Sequence, residues 1–232
     1  TGRASAWTAR AYKGRVQVYN ADWAGGAATL REVVADGPYA LEQNYHRVWT
    51  ALGEFANGPE TILAFQASAN DGEPNGQNAN SADRLNFPHA GSPFGCCGFH
   101  QPTQNLVNFF KVDANGLPLA ISQGDLTPLG ATGAWNSDNS NFVGGSMHPV
   151  DPRLDWTVGR DGVPYKDWGL HTSTWVRDPT FGGMYNGKKH AHEEAANASS
   201  GVGWNPAHLN SVNMHMYRFA DLLLLLAEAE VE

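Results

Sequence analysis

Cysteine is close to absent: among 232 residues only Cys96 and Cys97 occur, side by side. Two cysteines cannot build a disulfide framework, and a structural zinc site needs four ligands. Two buried free thiols are the plainer reading of the pair; a strained vicinal disulfide is the other. Charge is scarce too, at 16% of residues, and leans acidic, with 23 Asp and Glu against 15 Lys and Arg. The resulting net charge of −8 argues against a nucleic-acid partner, whose phosphate backbone selects basic patches. Five consecutive leucines, Leu222–Leu226, fall far short of the roughly 20 apolar residues of a membrane helix. No glycine-rich phosphate loop sits at a strand–helix junction, and no Gly-x-Ser-x-Gly elbow occurs. No signal peptide or lipobox cysteine is visible. That says little about location, because the chain reads as starting and stopping inside helical segments.

What is present describes a loop-rich protein held by packing. Hydrophobic residues make up 41% of the chain, enough for a sizeable core, and Gly (26) and Pro (13) are abundant. The chain is organised around its closing stretch, Tyr217–Glu232. At helical period Tyr217, Ala220, Leu224, Ala227 and Val231 fall on one stripe, which the leucine run widens until it nearly encircles the helix. Arg218 and Asp221, at i and i+3, are set to pair on the polar edge. Such a helix needs other helices around it, and it runs uncapped to the last residue, so part of its partner is expected beyond Glu232.

Residues 3–36 read as a helical hairpin. Ala9, Tyr12, Val16 and Tyr19 mark one face of the first helix, and Asp22 is placed to cap the second. Trp23, Ala27, Leu30 and Val34 line that second helix, which Gly37, in a left-handed conformation, and Pro38 end. A pair of this length is the size of one tetratricopeptide unit and cannot bury its apolar face alone. The prediction is that 217–232 stacks on it across some 180 residues of sequence.

The middle is irregular. A short helix over 41–52 carries Tyr45, Val48 and Trp49, and 60–68 reads as a strand between turn signals. Residues 70–100 lack any period, which marks a functional loop or disorder. Phe87, Phe94 and Phe99 are expected to pin it. Pro102 opens a helix running to about Val112, with Leu106, Phe109 and Phe110 inward. A polar loop over 130–147, a short helix or turn at Asp151–Trp156 and an irregular stretch over 159–210 follow.

The closing motif YRFADLLLLLAEAE resembles the signature helix of the SusD/RagB family of outer-membrane nutrient-binding lipoproteins. Other features recur in the family's order. They are the early helix pair with Gly37-Pro-Tyr39-Ala-Leu41, Glu60-Thr-Ile-Leu63, Gln101-Pro-Thr-Gln-Asn-Leu-Val107 and Asp151-Pro-Arg-Leu-Asp155. Tyr165-Lys-Asp-Trp-Gly169, Trp175-Val-Arg177 and Lys188-Lys189 complete the set. The resemblance implies a mainly α fold of tetratricopeptide-like helical repeats, with a large loop-rich ligand-binding subdomain and few short strands. Residues 1–232 would form part of one such domain: the hairpin 3–36, the loop-rich 37–216, and 217–232 as the first helix of a further repeat. It also implies non-catalytic capture of an oligosaccharide or polysaccharide at the cell surface. The ligand passes to a SusC-like TonB-dependent transporter, and a lipid anchor outside this chain holds the protein on the outer membrane. A peptide-binding member of the family and a glycan-degrading hydrolase are the alternatives.

The residues themselves offer little catalytic chemistry, and no cofactor is expected. His190-Ala-His192-Glu-Glu194 has a metal-site flavour, but helical metal sites favour histidines at i and i+4, and no partner motif appears, so no metal is expected. Asp151, Asp155, Asp161 and Asp167 could be read as a glycosidase carboxylate pair, although acidic residues in polar turns are more often caps and ion-pair partners. Asp113-Ala-Asn-Gly116 starts like a calcium loop without its bidentate glutamate, and a plain turn explains it. Among eight tryptophans, Trp7, Trp23 and Trp49 read as core, while Trp135, Trp156, Trp168, Trp175 and Trp204 lie in irregular sequence. Most of these five are expected to anchor loops. Trp135 and Trp204, in the most polar surroundings, are predicted to contact ligand together with Asn136 and Asp138.

Overall fold

The computed structural model describes residues 4–79, 85–95, 97–118, 149–203 and 209–232. Two compact units emerge: unit 1 comprises 1–68 and 211–232, and unit 2 comprises 69–210. The described architecture is mainly helical, with a few two-stranded pairings and long irregular loops.

Unit 1 begins with the predicted hairpin, α1 (Ala6–Tyr19) and α2 (Trp23–Asp36). Ser5 caps α1 by accepting from Thr8 N at 3.1 Å, and Asp22 caps α2 by accepting from Gly25 N at 3.1 Å. Each satisfies an amide that has no partner within its helix. The helices approach closely because Gly14 faces Leu30: a Cβ at Gly14 would sit 2.4 Å from Leu30 Cδ2. Leu30 is fully buried and has nowhere to retreat. Gly14→Val should therefore cost about 1–3 kcal/mol by overpacking. The expected readout is a melting temperature lower by several degrees, and an unchanged one would contradict the contact.

Strand β1 (Thr61–Phe65) pairs antiparallel with β4 (Met214–Arg218), which leads into α6 (Phe219–Val231). The junction is fixed by charge. Arg218 Nη1 lies 2.7 Å from the buried Glu60 carboxylate, and Arg218 N donates to Asp221 Oδ2 at 3.2 Å. The expected Arg218–Asp221 pair is present at 3.3 Å. As predicted from sequence, α6 joins the hairpin. Ala11, Val18, Ala27, Leu30, Val33, Ile62, Tyr217, Phe219, Leu222 and Ala229 form one core, and Arg31 reaches Glu230 at 2.8 Å.

Several expected faces differ from the observed ones. Tyr217 belongs to β4 and not to the helix. In α6 the buried positions are Phe219, Leu222 and Ala229, while Leu224 is 71% exposed and Val231 is 86% exposed. In α1 the buried set is Thr8, Ala11, Gly14 and Val18, leaving Ala9, Val16 and Tyr19 exposed. In α2, Val33 rather than Val34 faces the core. Glycines and threonines carry the close approach, so an apolar-only count selects the wrong stripe. Gly37 is extended (φ −74°), not left-handed. The 41–52 helix reduces to one 3₁₀ turn, Tyr45–Val48.

In unit 2, α3 (Gln104–Asn108) is capped by Thr103, and α4 (Leu154–Thr157) runs into β2 (Val158–Gly159). The short α5 (Pro179–Gly182) precedes β3 (Asn186–Gly187), which pairs with β2. Thus α3 starts at Gln104, not Pro102, and Leu106 and Phe109 are exposed while Val107 is buried. Two small clusters form the core of unit 2, the first rich in aromatics and the second mostly aliphatic. One joins Phe87, Phe94, Tyr165, Trp175 and Ala191, with Trp168 against it; the other joins Val107, Leu154, Val158 and Tyr185. Trp168 and Trp175 therefore anchor loops, as does Trp168 Nε1 by donating to His192 O at 2.8 Å. Phe87 and Phe94 pin the 70–100 segment as expected, but Phe99 is 55% exposed. Cys97 is disulfide-bonded, which corrects the free-thiol reading. Its only other cysteine in the chain, Cys96, lies outside the described residues. Cys97 has a left-handed φ of 85°, and composition carries no signal for its bonding.

Candidate ligand-binding site

Unit 2 holds a cavity of about 470 Å³, within the range usual for small-molecule sites. Three stretches of chain converge on it. The first is the end of the long loop, with Asn86 and Phe87; the second runs from His100 to Phe110, with Pro102 and Leu106; the third is formed by Thr157 and Gly187–Ala191. Phe87, Leu106, Phe110 and Pro102 supply apolar wall, and Asn86, Gln101 and Thr157 supply hydrogen-bonding groups. Immediately before His100, the exposed Phe99 ring carries the Arg177 guanidinium at 4.0 Å, and Arg177 Nη1 donates to Cys97 O at 3.1 Å. That stack holds Phe99 in place while more than half its surface stays open.

The third stretch is positioned by a buried polar lattice. Lys188 is 1% exposed, and its Nζ donates to the carbonyls of Asp155 and Pro164, each at 2.6 Å. Burial pushes its pKa down to about 8, with Arg160 and Lys166 adding to the effect and Asp155 opposing it. Arg160 is neutralised by Asp155 at 2.6 Å, and Lys166 by Glu193 at 3.0 Å. Burial also lowers the Lys166 pKa, and the Glu193 carboxylate resists the shift. Gly159 permits this closeness, because a Cβ there would meet the Tyr165 ring at 2.7 Å. His190, on the cavity wall, is pushed down to about 4 by burial and then by Lys189 and Lys166, so it is neutral at pH 7.

The sequence-derived candidates fare unevenly. Trp135, Asn136, Asp138 and Trp204 all lie outside the described residues. The His190–Glu194 cluster does not converge: His192 Nε2 is 2.8 Å from Ser199 Oγ, Glu193 is bound to Lys166, and His190 turns to the cavity. Among the described residues no group of three or more His, Cys, Asp or Glu side chains is arranged for a metal. The four aspartates take cap and ion-pair roles. Asp151 pairs with Arg153, Asp155 with Arg160, Asp161 accepts from Ser173 N, and Asp167 accepts from the amides of Glu194 and Ala195. Asp113 closes a plain turn, its carboxyl held below the usual range by the amides of Leu117 and Asn115. Among the described tryptophans of irregular sequence, Trp156 is the most exposed at 40%. Sequence reasoning missed the cavity. Its one legible trace was the Phe99-His-Gln-Pro102 stretch, where an aromatic and two hydrogen-bonding side chains follow an aperiodic loop.

Among the described residues no helix is long and apolar enough to cross a membrane. Compared by sequence with curated proteins, the chain matches none. Solved structures that share its fold include the following three. A SusD-like protein from Bacteroides fragilis superposes with a TM-score of 0.63 at 20% identity, over 100% of this chain and 44% of its own length. A laminarin-binding SusD-like protein gives 0.56 at 19% identity, over 99% and 44%. A structure with xylogluco-oligosaccharide gives 0.60 at 15%, over 99% and 40%. The chain thus spans about two fifths of the length of these structures. The SusD family profile matches residues 59–232, which contain β1, the cavity and the closing helix, and the chain belongs to the SusD family.

Proposed function

We propose that this chain binds an oligosaccharide without transforming it, in the unit 2 cavity. The observation that carries the reading is the cavity itself, with apolar walls and amide and hydroxyl side chains among them. Sugars present flat C–H faces and a rim of hydroxyls, which suits a ring stacked against apolar wall with a few oriented polar groups. Two proteins of the same fold support it, one laminarin-binding and one solved with xylogluco-oligosaccharide. The engagement of Asp151, Asp155, Asp161 and Asp167 in caps and ion pairs leaves no free pair among them for glycoside hydrolysis and favours binding over catalysis.

Within the full-length protein, both units form parts of one SusD/RagB-like domain. That protein is lipid-anchored at the outer-membrane surface and passes its ligand to a SusC-like TonB-dependent transporter. Trp135, Asn136, Asp138 and Trp204 remain proposed as further ligand contacts.

Calorimetric titration with a panel of oligosaccharides and peptides tests the core of this reading. At least one oligosaccharide should bind, and Leu106→Ala, at a half-open position on the cavity wall, should weaken it about tenfold with the melting curve little changed. Binding of peptides alone, or of nothing in the panel, would overturn it. Co-purification of the full-length protein with a TonB-dependent transporter tests the delivery step.

A further inference from the structure

Much of the unit 2 cavity is lined by carbon. Phe87, Pro102, Leu106, Phe110 and Ala191 contribute to it, and none of their side chains can form a hydrogen bond. Phe87 is 2% exposed, Phe110 is half-buried and Leu106 is 41% exposed. The lining is therefore a set of partly covered side chains and not one open ring. A bare sugar placed here turns some of its hydroxyls onto carbon, and a hydroxyl taken from water without a partner costs free energy. Gly187, also on the lining, leaves room: a Cβ added there would meet nothing within 4 Å. Burial pushes the pKa of His190, on the same lining, down to about 4, which marks this side of the cavity as poorly hydrated.

We propose, resting on the oligosaccharide reading above, that the cavity receives an aromatic acyl group carried on the sugar as an ester. Phe87, Leu106 and Phe110 pack against the group, and the bare backbone at Gly187 keeps the space for it open. Such a group is flat and apolar, and it covers carbon without presenting hydroxyls to it. It gains the free energy of removing apolar surface from water. Its ring also meets phenyl neighbours in the offset or edge-to-face arrangements that aromatic pairs prefer. The sugar that bears the ester retains Asn86, Gln101 and Thr157 for its own hydroxyls. An acetyl ester is too small to fill a space of about 470 Å³.

Calorimetric titration of the whole chain tests this with three probes: a feruloylated arabinoxylan trisaccharide, the same trisaccharide after alkaline removal of the ester, and methyl ferulate. The esterified saccharide should bind ten or more times tighter than the bare one, with a more negative heat-capacity change. Methyl ferulate should compete with it, which locates the acyl group without any variant. Gly187→Leu, whose side chain enters the open space, should bring the esterified probe down to the affinity of the bare one, with the melting curve little changed. Equal affinities, tighter binding of the bare saccharide, or no binding of the esterified one would overturn the inference; where another oligosaccharide binds, the reading it rests on still stands. A preference for the ester that survives both methyl ferulate and Gly187→Leu would place the acyl group outside the cavity and overturn it too. If no saccharide of any kind binds, the oligosaccharide reading falls and this inference falls with it.

Discussion

Leu222→Asp should unfold unit 1, and Leu224→Asp, two residues along the same leucine run, should be tolerated. Leu222 is fully buried among Leu30, Phe219 and their neighbours, whereas Leu224 is 71% exposed. An aspartate at 222 loses the burial of a leucine and adds an unpaired charge in an apolar core, together costing about 4 kcal/mol or more. Domain stabilities run to about 5–15 kcal/mol, so most of the margin disappears. At 224 the carboxylate points to water, and the expected cost stays within about 1 kcal/mol. Thermal unfolding followed by circular dichroism gives the order directly. Where Leu222→Asp yields no soluble protein, Leu222→Ala serves, at about 2–5 kcal/mol. A larger loss at 224 than at 222 would mean that α6 is rotated from the face described. The sequence reading placed Leu224 on the apolar stripe meant for burial; its exposure in the structure makes Leu222 the sensitive position instead.

Acid should loosen unit 2 through His190. Its pKa is about 4 in the folded protein against 6.5 for an unperturbed histidine, because burial and the nearby Lys189 and Lys166 disfavour the imidazolium. The unfolded chain therefore takes up the proton first. The penalty is absent above pH 6.5, grows as pH falls, and is complete below about 4. Between pH 7.5 and 5 this one group should remove about 2 kcal/mol. Urea midpoints at the two pH values, followed by tryptophan fluorescence, should differ for the native chain, and His190→Asn should remove most of that difference. An identical acid loss in the variant would assign the effect to other groups. Lys188 has a depressed pKa too, about 8 against 10.5, but its window lies elsewhere. Its penalty is fully present below pH 8 and is relieved as pH rises toward 10.5.

Local chemistry was enough to place the helix pair, its Asp22 cap, strand β1 and the closing helix. Each of these rests on signals that lie within a few residues: a capping carboxylate, an alternation between turns, an apolar run. Sequence likewise set the acidic balance, the family resemblance and the cap and ion-pair roles of the four aspartates. Which face of each helix is buried was decided by packing. Leu222–Leu226 is apolar almost all round, so periodicity cannot rank its positions, and only the packing of α2, with Leu30 in the shared core, puts Leu222 inside and Leu224 outside. The approach of α1 to α2 turns on Gly14, which no hydrophobic count registers. The cavity depended on tertiary structure altogether. It gathers residues from 86–110, 157 and 187–191, stretches with almost no period, and its character comes from the burial of Lys188 against two carbonyls. Burial of a charge is a property of the whole packed chain, because the neighbours that desolvate and hold it come from segments far apart in sequence.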